Sequence, residues 1–319
     1  MNEKGFNIFF FIGHIAIDTV IKRGKEYKKS LGGSVCYCSL SLKEYVKNID
    51  VSIISNFNKD SPQKTFLDQF KCNAIDLNPI KYIKSANTEF ILDYFDHSRN
   101  LTLKSKAPDL KVKEIPNRYF DKSVDSVVFV PICNEISYDY VSKMHKIYPN
   151  AIFGIDVQGF IRKISPQGKV SLLHDKEKMD NLTKIINLLG EKLILKGSEE
   201  EMKIISNEND YEKVMNYFKQ YSSISIMTLG EKGSIISKKG EFDIKVPAYK
   251  AKQVEDETGA GDVYLAIFLY EFLNSSKKWS DIKKAGYLAS AAASFGVEKK
   301  GATGFQPKET VKKRFLKKW

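Results

Sequence analysis

At 319 residues, 42% hydrophobic and 28% charged, the chain is long enough for two domains or for one large domain with an appendage, and too apolar to be disordered. Lysine and arginine exceed aspartate and glutamate by 51 to 39, a net charge of +12, which favours acidic partners such as nucleic acid or phosphorylated small molecules and says nothing of fold. The longest early apolar run, Ile8 to Ile12, falls far short of the ~20 residues that cross a bilayer, so neither a membrane span nor a signal peptide is expected.

From the N-terminus, period and punctuation predict a buried strand over Asn7 to Gly13, a Gly32-Gly33 turn opening a helix over about Ser34 to Val46, and a short strand at Val51 to Ile54. Between about Thr88 and Leu103 apolar and polar residues alternate through Phe90, Leu92 and Tyr94, a turn is expected at Asp96 to Asn100, and Leu101 and Leu103 resume the pattern as a hairpin. Strand and helix then take turns: strand Ser126 to Val130, helix Tyr138 to Tyr148, strand Ala151 to Asp156, helix Lys178 to Leu189, strand Lys192 to Lys196, helix Tyr211 to Tyr221, strand Ser223 to Leu229. That rhythm predicts βαβ units and a mostly parallel sheet covered on both faces, an α/β fold. Short strands at Ser234 to Ser237 and Phe242 to Val246 precede Thr258 to Asp262, an apolar helix through Leu273, and an Ala-rich helix over Asp281 to Phe295. No Pro/Gly/Ser-rich linker divides the chain, so a single α/β domain over 1–319 is expected, with a small β lid contributed by the N-terminal half at about 14–31 and 86–106.

Cys36, Cys38, Cys72 and Cys133 lack paired CxxC spacing and histidines at ligand spacing, so buried free thiols in a reducing compartment, the cytoplasm, are expected. Cys36 and Cys38 stand two apart on a helix and do not face each other across a metal. The one basic cluster, Lys312, Lys313, Arg314, Lys317 and Lys318, reads as a solvated helix face, because no aromatics interleave it, and no nucleic-acid partner is expected. His14 reads as a hydrogen-bonded wall residue, and His97, beside Asp96 and Arg99, as part of a solvated turn. No Ser/His/Asp arrangement, no G-x-x-x-x-G-K-[ST] and no GxGxxG after the first strand is present, which disfavours a hydrolase triad, a P-loop kinase and a Rossmann dehydrogenase.

The most informative stretch runs from Ala251 to Asp262. It places three small residues, Gly259, Ala260 and Gly261, at the opening of a helix whose first turn carries an acid, Asp262. Unpaired N–H groups and the positive end of the helix dipole favour an anion there, and small residues let the backbone approach phosphate oxygens. A carboxylate beside such a cradle can take the proton of an attacking hydroxyl while the cradle neutralises charge on a transferred phosphoryl group.

At these residues the chain resembles the PfkB (ribokinase-like) carbohydrate kinases. Their C-terminal signature, close to D-T-x-G-A-G-D, stands here as Asp256-Glu257-Thr258-Gly259-Ala260-Gly261-Asp262, with Glu257 where Thr is usual. The family's first strand ending in Gly with Asp soon after is similar to Gly13 to Asp18. Its Gly-Gly turn is similar to Gly32-Gly33, and its T-x-G-x-x-G segment to Thr228-Leu229-Gly230-Glu231-Lys232-Gly233. The resemblance implies a ribokinase-like three-layer sandwich with a mostly parallel central sheet and a small β lid. By position it implies Asp262 as general base, the N–H groups of Gly259, Ala260, Gly261 and Asp262 as anion hole, and Asp18 and Gly33 as holders of substrate hydroxyls. Lys196, Ser198, Thr228, Gly230 and Gly233 fall in nucleotide-binding segments. Glu201 matches the acid of an N-x-x-E pattern that acts on Mg²⁺ through water, although Ser198 replaces its Asn. A potassium site in some members, built mainly from backbone carbonyls, maps to Asp256, Thr258 and Gly301. The implied donor is ATP with Mg²⁺.

The acceptor is less determined. Ribokinase-type members carry GG-x-x-x-N, where Tyr37 replaces the small amide with a ring. The strings around Gly32-Gly33-Ser34, Asp156 to Arg162 and Leu195 to Ser198 look similar to the myo-inositol kinase branch, which makes a small polyol the first expectation and puts Tyr37 and Arg162 in the substrate site. Alternatives are a nucleoside, whose base would stack on Tyr37, another sugar or sugar phosphate, or a non-catalytic ligand-binding protein on the same fold, given Glu257 and Ser198. An exposed lid edge would suit pairing with a second copy as a homodimer.

Overall fold

The computed structural model describes residues 7–22, 24–26, 29–95, 98–172, 176–221 and 223–317. Its strands in chain order are β1 (Ile8–Ile12), β2 (Ala16–Lys22), β3 (Lys25–Glu26), β4 (Ser30–Gly32), β5 (Asp50–Ile54), β6 (Asn56–Asn58), β7 (Lys81–Ile83), β8 (Thr88–Phe95) and β9 (Ser98–Ser105), followed by β10 (Ser126–Phe129), β11 (Ile152–Asp156), β12 (Arg162–Ile164), β13 (Val170–Leu172), β14 (Leu193–Ser198), β15 (Ile224–Thr228), β16 (Ser234–Ser237) and β17 (Ile244–Val246). The α-helices are α1 (Ser34–Tyr45), α2 (Phe66–Cys72), α3 (Tyr138–Ile147), α4 (Lys176–Leu189), α5 (Glu199–Ser206), α6 (Tyr211–Phe218), α7 (Ala260–Leu273), α8 (Trp279–Gly296) and α9 (Lys308–Leu316).

Eight strands form the main sheet in the order β17-β16-β15-β14-β11-β10-β1-β5. The run from β15 to β5 is parallel, and β16 and β17 turn back antiparallel at one edge. Strand β1 shows why both faces are covered: Phe9 and Phe11 join the core under α1, α7 and α8, whereas Phe10 and Ile12 join the core under α3, α4, α5 and α6. A strand that is apolar at consecutive positions can be stable only between two helical layers. Helix α7 is apolar nearly all round, which suits its position packed among α1, α8 and the sheet.

The chain leaves β1 in one direction toward β5 and returns on the other side through β10, so the strand order reverses at β1. In open α/β sheets the crevice beyond the carboxyl ends of the strands at such a reversal is where ligands bind.

A second sheet of five strands, β3-β2-β8-β9 with β4 paired to β2, follows from segments near 14–31 and 86–106. Strand β2 pairs with β8 in parallel, opposing Asp18 with Phe90, Val20 with Leu92 and Lys22 with Tyr94. Because side chains alternate, these pairs share one face. Phe90 and Leu92 bury against Ala16, Ile132 and Cys133. The expected turn at Asp96 to Asn100 is shorter, since Ser98 to Asn100 already belong to β9; Asp96 and His97 lie outside the described residues.

Three other expectations are settled by burial and hydrogen bonding. Cys36, Cys38 and Cys133 are buried free thiols, but Cys72 is exposed, because it ends the two-turn helix α2, which buries Leu67 and Phe70 instead. His14 is a wall residue, its Nε2 2.9 Å from the carbonyl of Pro108 and its Nδ1 2.9 Å from the Thr88 hydroxyl. In the C-terminal basic cluster, Lys312 pairs with Glu309 at the surface, but Arg314 is mostly buried instead of solvated, because it bonds Ser294 and Glu298 and packs over the Phe295 ring; Lys318 lies outside the described residues. Among the described residues no helix is long and apolar enough to cross a membrane.

Candidate active site

A cavity of about 800 Å³ opens where the carboxyl ends of the central strands meet the face of the second sheet. Of the residues singled out from the sequence, Asp18, Gly33, Tyr37, Arg162, Lys196, Ser198, Glu201, Thr228, Asp256, Thr258, Gly259, Gly261 and Asp262 line it. Residues more than two hundred positions apart are therefore brought to one wall. Ala260, Gly230 and Gly233 do not line it. The Ala260 N–H is 3.3 Å from the carbonyl of Glu257, and Gly230 and Gly233 shape the tight turn Gly230–Lys232, with Gly233 packed against the backbone at Val246 to Ala248.

The cradle at the start of α7 is built by its glycines. Gly259 caps the helix at φ +79°, and a Cβ there would run into the Tyr37 ring. Only glycine tolerates both demands at once. A Cβ on Gly261 would stand 2.5 Å from the Lys196 Nζ, so the missing side chain lets an ammonium sit directly beside the helix opening. The Asp256 carboxylate ties the approach together, accepting the Thr258 N–H at 3.0 Å and the Gly301 N–H at 3.1 Å.

Asp262 is 8% exposed and its carboxyl is pushed up to about 7, chiefly by burial and then by the negative charge of Asp156; Lys196, a hydrogen bond from Ser34 and Arg162 act in the opposite sense. A carboxylate in that range is poised to take a proton near neutral pH. Lys196 is buried and hydrogen-bonded to Asp156 at 2.6 Å. Burial works against its charge, but Asp156, Asp262 and Glu201 hold it above the ordinary lysine range.

Ser198 is the N-cap of α5 in a capping box: its N–H donates to Glu201 Oε2 at 2.7 Å while the Glu201 N–H reaches the Ser198 hydroxyl at 3.4 Å. The Ser in place of Asn is thus a helix-starting device, and it fixes where Glu201 stands. Glu201 is buried at the cavity wall with one oxygen held by backbone, and burial raises its pKa. A hard divalent cation with a mostly aqueous shell fits this carboxylate through water. The Asp256 carboxylate joins the Asp256 to Thr258 turn to the Gly301 turn, which are the turns that the potassium expectation named.

The opposite wall comes from the second sheet. Asp18, Lys22, Phe90, Leu92, Tyr94 and Leu101 line it, and Tyr37, whose ring stands against Gly259, lines the cavity as well. Arg162 donates to the carbonyl of Ile132 at 2.8 Å and lies 5.9 Å from the Phe90 ring centre; Lys22 lies 5.0 Å from that of Tyr94.

Sequence reasoning assigned no role to Ser34, Asp156, Gln158 or the apolar residues that the second sheet turns to the cavity. Asp156 carried a signal, since it ends a predicted parallel strand on the side where such sheets bind ligands. Phe90, Leu92 and Tyr94 were visible as an alternating strand, but nothing local tells which alternate face meets a cavity.

Comparison with known proteins agrees with this geometry. A family model described as pfkB family carbohydrate kinase matches residues 11–309. The nucleoside kinase of Methanocaldococcus jannaschii is 34% identical over 120 residues, which span 35% of this chain and only 38% of that relative. Among solved structures, a pyrophosphate-dependent kinase in the ribokinase family, complexed with a pyrophosphate analog and myo-inositol, is similar at a TM-score of 0.74 with 20% identity, covering 92% of this chain and 96% of that one. The crystal structure of the M. jannaschii nucleoside kinase is similar at 0.73 with 21% identity, covering 98% and 99%. These likenesses establish a ribokinase-like fold, and because the family model takes in nearly the whole chain, the protein belongs to the pfkB family of carbohydrate kinases.

Proposed function

We propose that this chain transfers the terminal phosphoryl group of ATP to a hydroxyl of a small nucleoside or polyol. The observation that carries the reading is the juxtaposition of a buried carboxyl raised to about 7, Asp262, with a glycine-built helix opening and a buried ammonium, Lys196. The acceptor O–H gives its proton to Asp262 as its oxygen bonds to phosphorus, and the bond from phosphorus to the bridging oxygen breaks with its electron pair leaving on the diphosphate. The N–H groups of Gly261 and Asp262, the α7 dipole and Lys196 would stabilise the charge on the transferring group. Mg²⁺ held through water at Glu201 would neutralise the donor phosphates. Thr228 and Ser198, at the carboxyl ends of β15 and β14, would flank the donor, and a potassium ion at Asp256, Thr258 and Gly301 would brace the cradle. The five-stranded sheet would act as a lid that keeps water from competing as acceptor.

Between acceptors we take a nucleoside first, because Phe90, Leu92, Tyr94, Leu101 and Ile132 line one side of the cavity and a flat base would lie along that side. Asp18 and Arg162 favour the second reading, a myo-inositol-like polyol, because both can hold hydroxyls. The test is a screen over nucleosides, myo-inositol, common sugars and their phosphates, with and without potassium, that reads ADP release with ATP as donor and, in a separate arm, orthophosphate release with pyrophosphate as donor. Turnover with a nucleoside supports the first reading and turnover with a polyol alone the second; no acceptor-dependent release from any compound overturns both.

A further inference from the structure

The charge arrangement behind Asp262 contains a residue with no assigned part in the reaction. Asp156 ends β11, Lys196 lies two residues before the end of the neighbouring parallel strand β14, and the two are register partners, so their side chains leave the sheet on the same face. Asp156 is 1% exposed and both its oxygens are occupied: Oδ2 takes the Lys196 ammonium at 2.6 Å and Oδ1 the Gln158 N–H at 3.1 Å. Lys196 is within electrostatic reach of three carboxylates, Asp156, Asp262 and Glu201. Whichever of these takes the ammonium at contact is held ionised and is a weak base. The groups acting on Asp262 are Asp156 from β11, Lys196 from β14, Arg162 from β12 and the Ser34 hydroxyl from α1. The thiols of Cys36 and Cys38 on α1 also lie near it, with burial keeping them protonated.

We propose that Asp156 is a positioning residue for phosphoryl transfer: by holding Lys196 in sheet register it keeps the ammonium beside Gly261 and off the Asp262 carboxylate, which stays free to accept the acceptor's proton. This rests on reading Asp262 as the base. Without Asp156, the carboxylates left within electrostatic reach of the buried ammonium are the base itself and Glu201. The device also explains why a lysine this close to the helix opening does not silence the carboxylate in the first turn.

The experiment is a ¹³C NMR titration of the Asp262 carboxyl in aspartate-labelled free protein, its signal assigned by loss in Asp262→Asn, with the pH profile of kcat measured beside it. Asp156→Asn should lower the Asp262 midpoint by more than about one pH unit and cut plateau kcat at least about tenfold. In a Lys196→Met background, Asp156→Asn should move the midpoint less than half as far, because the ammonium that it controls is gone. Equal drops in the two backgrounds, or no drop in either, overturn the proposal. The paired variant also guards against a misfolded single variant, since it leaves no unpaired buried ammonium. The titration needs no acceptor. A protein inactive on every compound would sink the kinase reading, while an unmoved midpoint in an active enzyme would sink the role of Asp156.

Discussion

Asp262→Asn should destroy turnover and stabilise the fold at once. Raising a carboxyl from its ordinary 3.8 to about 7 means that the folded protein binds its proton more tightly than the unfolded chain does. Below pH 3.8 both states are protonated and the group has no net effect. As pH climbs from about 4 to about 7 the unfolded chain ionises first and stability is lost; above about 7 the full cost, on the order of 4 kcal/mol, is carried by the native state. An asparagine of the same shape removes that cost. For 319 residues the unfolding entropy is about 0.7 kcal/mol/K, so the gain corresponds to a Tm higher by up to about 6 °C at pH 8, shrinking toward zero by pH 4. Meanwhile kcat should fall at least about a hundredfold with little change in donor affinity. Calorimetry of both proteins between pH 4 and pH 8, with turnover on the acceptor found by screening, measures both effects. A variant no more stable than wild type at pH 8, or one that retains full turnover, would refute the buried-base argument.

Two further substitutions test the walls of the cavity. Gly259→Ala should abolish turnover and lower Tm by several degrees, because the new methyl collides with the Tyr37 ring at a backbone angle of +79°; kinetics and melting curves within twofold and 1 °C of wild type would count against the cradle's geometry. Phe90→Ala should raise KM for a nucleoside at least about tenfold while kcat changes only a few-fold, since the lost contact is made equally in ground and transition states; an unchanged nucleoside KM in steady-state assays would remove the base from that wall.

Sequence and tertiary structure divided the work along physical lines. Local signals were enough wherever the determinant lies within a few residues: Gly259 to Asp262 opening α7, the Gly32-Gly33 turn before α1, the alternation that built β8, and the strand-helix rhythm that implies a parallel sheet. The same signals pointed to Asp262, because a helix N-terminus states its own electrostatics, whereas Glu201 was reached only through the resemblance to the family's N-x-x-E pattern. Ser198 was legible only as a departure until its capping box with Glu201 was seen. What no window of sequence contained was adjacency across the sheet. Asp156 and Lys196 stand forty positions apart, and their contact exists because parallel pairing of β11 with β14 sets them in register. Likewise Tyr37 meets Gly259, and Phe90 faces the cavity instead of solvent, only once α1 packs on α7 and β2 pairs with β8. The raised pKa of Asp262 belongs to the same class, since burial and the charge of a distant strand end set it and neither is a property of the residue's neighbours in sequence.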